Sequence, residues 1–409
     1  MHILFLTDNF PPETNAPASR TFDHAKAWVA EGHEVTVVTC APNFPKGKVF
    51  DGYRNRLWQS EMMDGIRVIR LWTYITANDG FVRRILDYQS FMVTGFFASL
   101  FVRRADVVVG TSPQFFTACA AWASAALKRR PFVFELRDLW PESIRAVGAM
   151  KQSRVLDVFE RLEMFLYRRA HAIVSVTQSF KQNLIDRCID GEKIHVVTNG
   201  VDASRFSPMP KDGALTDALG LGGKFVAGYI GTHGMAHSLE TVVDAAAILT
   251  RDETTRDIRI LFLGDGARRR AVMEKADALG LNNVLFLQSV PKADVPRYWS
   301  LLDVAVIHLR KTDLFKTVIP SKMFECFGMG LPILHGVEGE SADILNSVGA
   351  GMTFEPENAE DLAAKIKHLK DNPDQMNAYA ERGQQGAASY DRQTLAKAML
   401  RVLEHVAKR

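Results

Sequence analysis

The segment Thr317–Pro332 (TVIPSKMFECFGMGLP) carries the densest set of chemically useful residues in the chain. Pro320 suits the first turn of a helix, since its fixed φ fits there and its missing N–H is not needed. Ser321 and Lys322 then stand at the helix N-terminus, where free N–H groups, a hydroxyl and an ammonium together make an anion site. Glu325 follows three to four residues later, on the same helical face. A carboxylate one turn from a phosphate site can accept two hydrogen bonds from a ribose diol. A capping hydroxyl and a surface Glu–Lys pair would use the same residues without a ligand, but several parts coincide here.

Further candidates sit between strand-like and helix-like segments. The runs Gly228–Gly234 (GYIGTHG) and Gly264-Asp265-Gly266 would let backbone N–H groups approach a phosphate, although tight turns also use glycine. His233, within the first run, could donate a hydrogen bond to a ligand. Gly339-Glu340-Ser341 precedes another helical stretch, Ala342–Ser347, and would repeat the anion-binding arrangement. In the first half, Phe134–Ser143 (FELRDLWPES) ends a strand with Arg137, Asp138 and Glu142 close together. Charges there are costly unless solvated or paired, so the cluster reads as a device to orient or polarise a hydroxyl, or as a structural ion network. The loop after the first strand offers Thr14-Asn15 at its tip, with Arg20 behind. No GxGxxG follows that strand, which argues against a standard dinucleotide fold.

These residues need a scaffold, and the apolar pattern supplies one. Short buried runs at His2–Thr7, Glu34–Cys40, Ile66–Trp72, Asp106–Gly110, Pro131–Glu135, Ala172–Thr177 and Ile194–Thr198 alternate with helix-period segments. The stretch 199–224 is rich in Gly, Pro, Asp and Ser and reads as a linker. The alternation then restarts, with strands at Lys224–Ile230, Ile258–Leu263, Asn283–Leu287, Asp303–Leu309, Pro332–His335 and Gly351–Phe354. The expected architecture is α/β, with two doubly wound Rossmann-like domains facing across a cleft and ligands at the carboxyl ends of the strands. The domain bounds read as 1–200, 201–385 and a final helical segment 386–409.

Composition excludes several classes. The 409 residues include 24 % charged and 47 % hydrophobic residues with net charge +3, an ordinary globular balance that gives no case for a nucleic-acid binder. Four cysteines without a CxxC fit a reducing cytosol and suggest neither disulfides nor zinc. Neither a signal peptide nor a spanning helix is expected. One stretch stands out. Phe81–Arg104 carries four arginines and one aspartate around an apolar centre, an excess equal to that of the whole chain. It is either a peripheral membrane contact or a buried helix with solvated ends.

Taken together and in order, the segments LTDNFPPE, FELRDLWPES, IHVVTNGVDASRF, YIGTHG, FLGDG, VIPSKMFECFGMGLPI and GESADIL resemble the GT-B-fold retaining glycosyltransferases of family 4. Within that group they resemble the bacterial capsule and O-antigen branch that includes N-acetylfucosamine transferases. The resemblance implies that the second half binds a nucleotide sugar, with Glu325 on the ribose and Ser321 and Lys322 near the diphosphate. Val290 would meet the base, Gly231 and Thr232 the phosphates, and Glu340 and Ser341 the sugar. Asp138 and Arg137 fall where family members carry an active-site histidine or its neighbour, with His233 as a further catalytic candidate. Asn15, Arg20 and Glu142 are the acceptor-side candidates. The last helix would return to the first domain.

Two positions depart from the family pattern. Thr317 stands where many members have a second Glu, and Thr232 where many have an Arg followed by a Lys. Lys322 and Arg268, with Lys316 as a third, are then expected to meet the diphosphate charge. No D-x-D occurs, so neither a metal nor any other cofactor is expected. The expected reaction moves an N-acetylated sugar from a UDP-sugar to a polyprenyl-diphosphate-linked saccharide, in the cytoplasm at the inner face of the plasma membrane. A nucleotide-sugar 2-epimerase and a non-catalytic nucleotide-sugar binder are the alternatives.

Overall fold

The computed structural model describes residues 1–13, 15–44, 47–76, 81–112, 114–139 and 154–408. Among them the chain divides into two compact units, Met1–Thr198 with Arg392–Arg409, and Asn199–Asp391.

The first unit is built on an eight-stranded sheet of order β3-β4-β2-β1-β5-β6-β7-β8. Its strands are β1 (His2–Leu6), β2 (Glu34–Cys40), β3 (Gln59–Met63), β4 (Ile66–Leu71), β5 (Val107–Thr111), β6 (Phe132–Leu136), β7 (Ala172–Ser175) and β8 (Ile194–Val196). Every pairing is parallel except β3 with β4. β1, β5 and β6 are buried along their whole length, as continuous apolar runs in a sheet covered on both faces should be. Helices α2 (Phe81–Phe101), α3 (Phe115–Lys128) and Arg154–Arg169 cover one face. Helix α1 (Ala16–Ala30) and the terminal helix Arg392–Ala407 cover the other. The terminal helix is fixed to α1 by Trp28, whose indole N–H donates to the Ala396 carbonyl at 2.9 Å, and by an Arg392–Asp23 ion pair.

The second unit has a six-stranded parallel sheet, β11-β10-β9-β12-β13-β14. Its strands are β9 (Phe225–Ile230), β10 (Ile258–Leu263), β11 (Val284–Leu287), β12 (Val304–His308), β13 (Ile333–Gly336) and β14 (Gly351–Thr353). In each sheet the order reverses beside the first strand of the unit, between β1 and β5 and between β9 and β12. The carboxyl ends there are the fold's ligand-binding positions.

Three differences from the sequence reading have local causes. Strand β3 (QSEMM) alternates exposed and half-buried residues at the sheet edge and has no apolar run to announce it. The stretch read as a linker contains a short helix, Gly213–Ala218, capped by the Asp212 carboxylate on the Leu215 N–H. Pro320 lies two residues ahead of its helix, which runs Lys322–Met329 with Ser321 at the N-cap.

Candidate active site

The second unit gathers its candidates at the end of β9. Gly231 leaves the strand with φ +142, a backbone conformation that side-chain-bearing residues avoid. A Cβ at Gly231 would lie 2.6 Å from the Lys322 Nζ, so the glycine makes room for the ammonium. Lys322 is the first residue of its helix, and its Nζ rests 3.5 Å from the centroid of the Tyr229 ring. That nitrogen is sealed from solvent and has no hydrogen-bond partner among the described residues. Burial lowers its pKa to about 7, opposed by Cys326 and Glu325 on the same helix. A desolvated cation without a partner is expensive, and an arriving anion would supply the missing charge.

Glu325 lies one turn further on. The Trp299 indole N–H donates to its Oε2 at 3.2 Å, which fixes the carboxylate's direction. Sequence reasoning missed Trp299, because only the fold brings the helix Val295–Trp299 alongside. Ser321 is half-buried, and its hydroxyl caps nothing in its own helix. Val290 is half-buried in the loop after β11, packed on the core.

His233 is fully buried, edge-on to Tyr229 and Phe262 at ring distances of 5.8 and 6.0 Å. Neither of its ring nitrogens has a partner among the described residues. Burial, then the nearby Arg269 and Lys322 charges, lowers its pKa to about 4, so the ring is neutral near pH 7. Thr232 is exposed, and its carbonyl accepts a hydrogen bond from the Tyr229 hydroxyl at 2.8 Å.

Arg268 is engaged by Glu240 through two guanidinium nitrogens. Its neighbour Arg269 instead keeps a sealed Nε without a partner and acts electrostatically on His233. Arg269 is therefore the arginine with donor capacity to spare, a choice the sequence alone did not make. Lys316 pairs with Asp313 and Glu338. Gly264 and Gly266 have a packing explanation. A Cβ on either would strike the Gly231 or His233 carbonyl oxygen, at 1.9 and 2.6 Å, so these glycines let two strand-end loops interlock. Gly339, at φ +79, likewise presses on the Lys316 carbonyl. Glu340 opens the helix Glu340–Val348, while the buried Ser341 hydroxyl is held 2.8 Å from His335 Nε2. Ser341 can thus offer a ligand its first-turn N–H rather than its side chain.

In the first unit the candidates are mostly absorbed by the fold. Arg20 is buried; its Nε bonds Glu135 Oε1 at 3.0 Å and its Nη2 the Val197 carbonyl at 2.9 Å. Asn15 caps α1 by accepting from the Ala18 N–H at 2.9 Å, and its amide donates to Asn9 Oδ1 at 2.7 Å. Both acceptor-side expectations thus meet a structural use of the side chain. Arg137 and Asp138 leave β6 side by side, and their backbone N–H groups both point at the Ser112 hydroxyl. The Arg137 Nη1 is sealed and lacks a partner among the described residues. Desolvation lowers the Arg137 pKa to about 10, against the pull of Glu135. Thr14, Trp140 and Glu142 lie outside the described residues. Among those described, no group of three or more His, Cys, Asp or Glu is placed to hold a metal ion.

Helix α2 turns two faces to its surroundings. Phe91 and Ala98 enter the core. Leu86, Val93, Phe97 and Phe101 recur on the opposite face and are exposed, Phe101 at 75 %. Trp58 stands edge-on to Phe101 at 6.2 Å and extends the apolar strip beyond the helix. Arg83, Arg103 and Arg104 are exposed at the helix ends, whereas Lys128 donates to the Val102 and Leu100 carbonyls and finishes the helix. No helix among the described residues is long and apolar enough to cross a membrane.

Two family descriptions match successive parts of the chain. Residues 15–200 match the glycosyl transferase 4-like domain, and residues 217–386 match glycosyl transferases group 1. The colanic acid biosynthesis protein of Escherichia coli (strain K12) named glycosyl transferase WcaI is 25 % identical over 401 residues, covering 93 % of this chain and 96 % of that one. The Bacillus subtilis (strain 168) protein named teichuronic acid biosynthesis glycosyltransferase TuaH is 25 % identical over 206 residues, 49 % of each. Among solved structures, Anabaena HepE in complex with UDP-glucose superposes with TM-score 0.74 at 17 % identity, covering 99 % of this chain and 100 % of that one. With a family 4 domain in its first half, a group 1 domain in its second and a whole-length glycosyl transferase relative, this chain belongs to the GT-B-fold glycosyltransferases of family 4.

Proposed function

We propose that the chain transfers an N-acetylated sugar, with retention, from a UDP-sugar to a polyprenyl-diphosphate-linked saccharide in bacterial surface-polysaccharide synthesis. The observation that carries this reading is the unpartnered Lys322 ammonium, one turn from a carboxylate that Trp299 holds in place. Cleaving the sugar–phosphate bond leaves negative charge on the departing diphosphate. The Lys322 ammonium and the N–H groups at the start of its helix would stabilise that charge, with Arg269 beside His233 as a second cation. Glu325 would accept hydrogen bonds from the ribose diol. Glu340 and the N–H of Ser341 would contact the sugar, and Val290 the base. Arg137 and Asp138 would hold the acceptor on the first unit. The two relatives are named for colanic acid and teichuronic acid biosynthesis, and HepE was solved with UDP-glucose, which supports a nucleotide-sugar donor.

The acceptor's lipid places the enzyme at the cytoplasmic face of the plasma membrane. The exposed strip of α2, flanked by Arg83, Arg103 and Arg104, suits an anionic bilayer surface. The deciding experiment incubates the full-length chain with UDP-sugars, with and without bacterial lipid extract, and follows UDP release. Lipid-stimulated release coupled to sugar incorporation is expected. Epimer formation without release, or binding without either, would overturn the transferase reading.

A further inference from the structure

Lys322 carries a buried ammonium that no hydrogen-bond acceptor among the described residues meets. Something must nevertheless keep the ammonium in place, and an aromatic ring lies against it. The Tyr229 ring presents a face to Nζ with 3.5 Å between nitrogen and centroid, well inside the reach of a cation–π contact. Tyr229 is fully buried, and its hydroxyl is tied to the Thr232 carbonyl at 2.8 Å, so the ring cannot swing away. His233 and His237 stand edge-on to the same ring, each at 5.8 Å. Gly231 also borders it, and a Cβ there would come within 2.6 Å of the ammonium.

We propose that Tyr229 is a positioning residue: its ring face holds the Lys322 ammonium at the opening left by Gly231, in place of a counter-charge, until an anionic donor supplies one. This rests on the donor-site reading above. Three properties of the arrangement support it. An aromatic face attracts a cation but offers no lone pair that a phosphate must displace. A carboxylate in its place would bind the ammonium more tightly and would repel the diphosphate. The other titratable groups around Nζ do not take over the ring's role. His233 and His237 are held neutral by burial, to about 4 and about 3, and Glu325 is turned to Trp299. Cys326 is a buried thiol on the same helix.

The test keeps the ring's shape and changes only its charge distribution. In the full-length chain, Tyr229→Phe is compared with versions carrying progressively fluorinated phenylalanine at the same position, and UDP affinity is read by calorimetry. Tyr229→Phe should bind UDP within about twofold of the unaltered protein. The trifluorinated ring should bind about three- to tenfold more weakly at about pH 8, and regain most of that loss at about pH 6, where the ammonium is protonated without help. A flat series at both pH values overturns the proposal, as does a loss of equal size at both, which would mean packing alone. Lys322→Ala separates this from the reading beneath it. If that variant binds UDP normally, the donor-site reading fails; if it loses UDP while the fluorinated series stays flat, only the role of Tyr229 fails.

Discussion

Two buried cations at the carboxyl ends of the two sheets, Arg20 and Lys322, are treated in opposite ways. In the first unit Arg20 and Glu135 are both almost fully buried and bond each other, and Arg20 also serves backbone carbonyls at the end of β8. In the second unit Lys322 is equally cut off from water at its charged end but meets only an aromatic face. One fold thus sets Arg20 in a closed set of bonds and Lys322 in an open one, although Arg137 beside Glu135 also keeps a sealed Nη1 without a partner among the described residues. A closed network costs desolvation but is repaid within the protein, and it fixes how α1, β6 and the chain after β8 meet. An open one is repaid only by a ligand, in keeping with the diphosphate site proposed for the second unit.

The comparison is tested hardest by removing one charge from each unit. Glu135→Ala leaves Arg20 buried without its partner, with Arg137 nearby, and should cost about 3–5 kcal/mol of stability, read from denaturant unfolding. Lys322→Ala should do the reverse. It leaves thermal stability unchanged or slightly higher, because an uncompensated charge has gone, yet lowers kcat/KM about 100- to 1000-fold. If Lys322→Ala unfolds the protein while Glu135→Ala does not, the two networks have been assigned the wrong way round.

These two sites also mark how far sequence carries. The parallel sheets were legible because buried strands are continuous apolar runs, such as HILFL in β1 and IRILFL in β10. The edge strand β3 was not, since one of its faces is exposed and the other only half-buried. The proposed anion site was legible in Ser321, Lys322 and Glu325, because helix geometry alone sets their relation. Its supports were not. Tyr229, Trp299 and Arg269 reach the site from other elements, through contacts that no local spacing encodes. The same gap explains Arg20 and Asn15. Their residue types suit a ligand as well as they suit an ion pair or a cap, and only the position of Glu135 and the start of α1 decides between these uses. Likewise Gly264 and Gly266 fit a phosphate loop by type, whereas the fold employs them to interlock two turns.

A pH titration sharpens the contrast next. In the free protein the Lys322 pKa is lowered to about 7 from an ordinary 10.5. Between those values the unfolded chain holds the extra proton, so this group's contribution to stability grows as pH rises through the window. Donor binding needs the proton back, so UDP affinity should fall with rising pH above about 7, by up to about tenfold per pH unit. Lys322→Arg stays charged throughout and should flatten that slope. A slope equally steep in Lys322→Arg would assign the titration to another group.

The smallest effect belongs to the outer surface of the first unit, where charge is neither closed nor awaiting a nucleotide. The strip Leu86, Val93, Phe97 and Phe101 lies along one line of α2, because steps of seven and four residues bring side chains back to nearly the same face. Its other face is core, so the helix is held in place whether or not the strip is covered. A charge introduced there should therefore leave folding and UDP binding intact. Phe97→Glu should weaken sedimentation with anionic liposomes about three- to tenfold, and added salt should weaken the unaltered protein in the same direction, since the flanking arginines act through screened Coulomb attraction. Turnover on a water-soluble acceptor should not change. Equal loss on soluble and membrane-bound acceptors would move the strip from a lipid contact to a part of the acceptor site itself, and would end the separation between the two units' uses of charge.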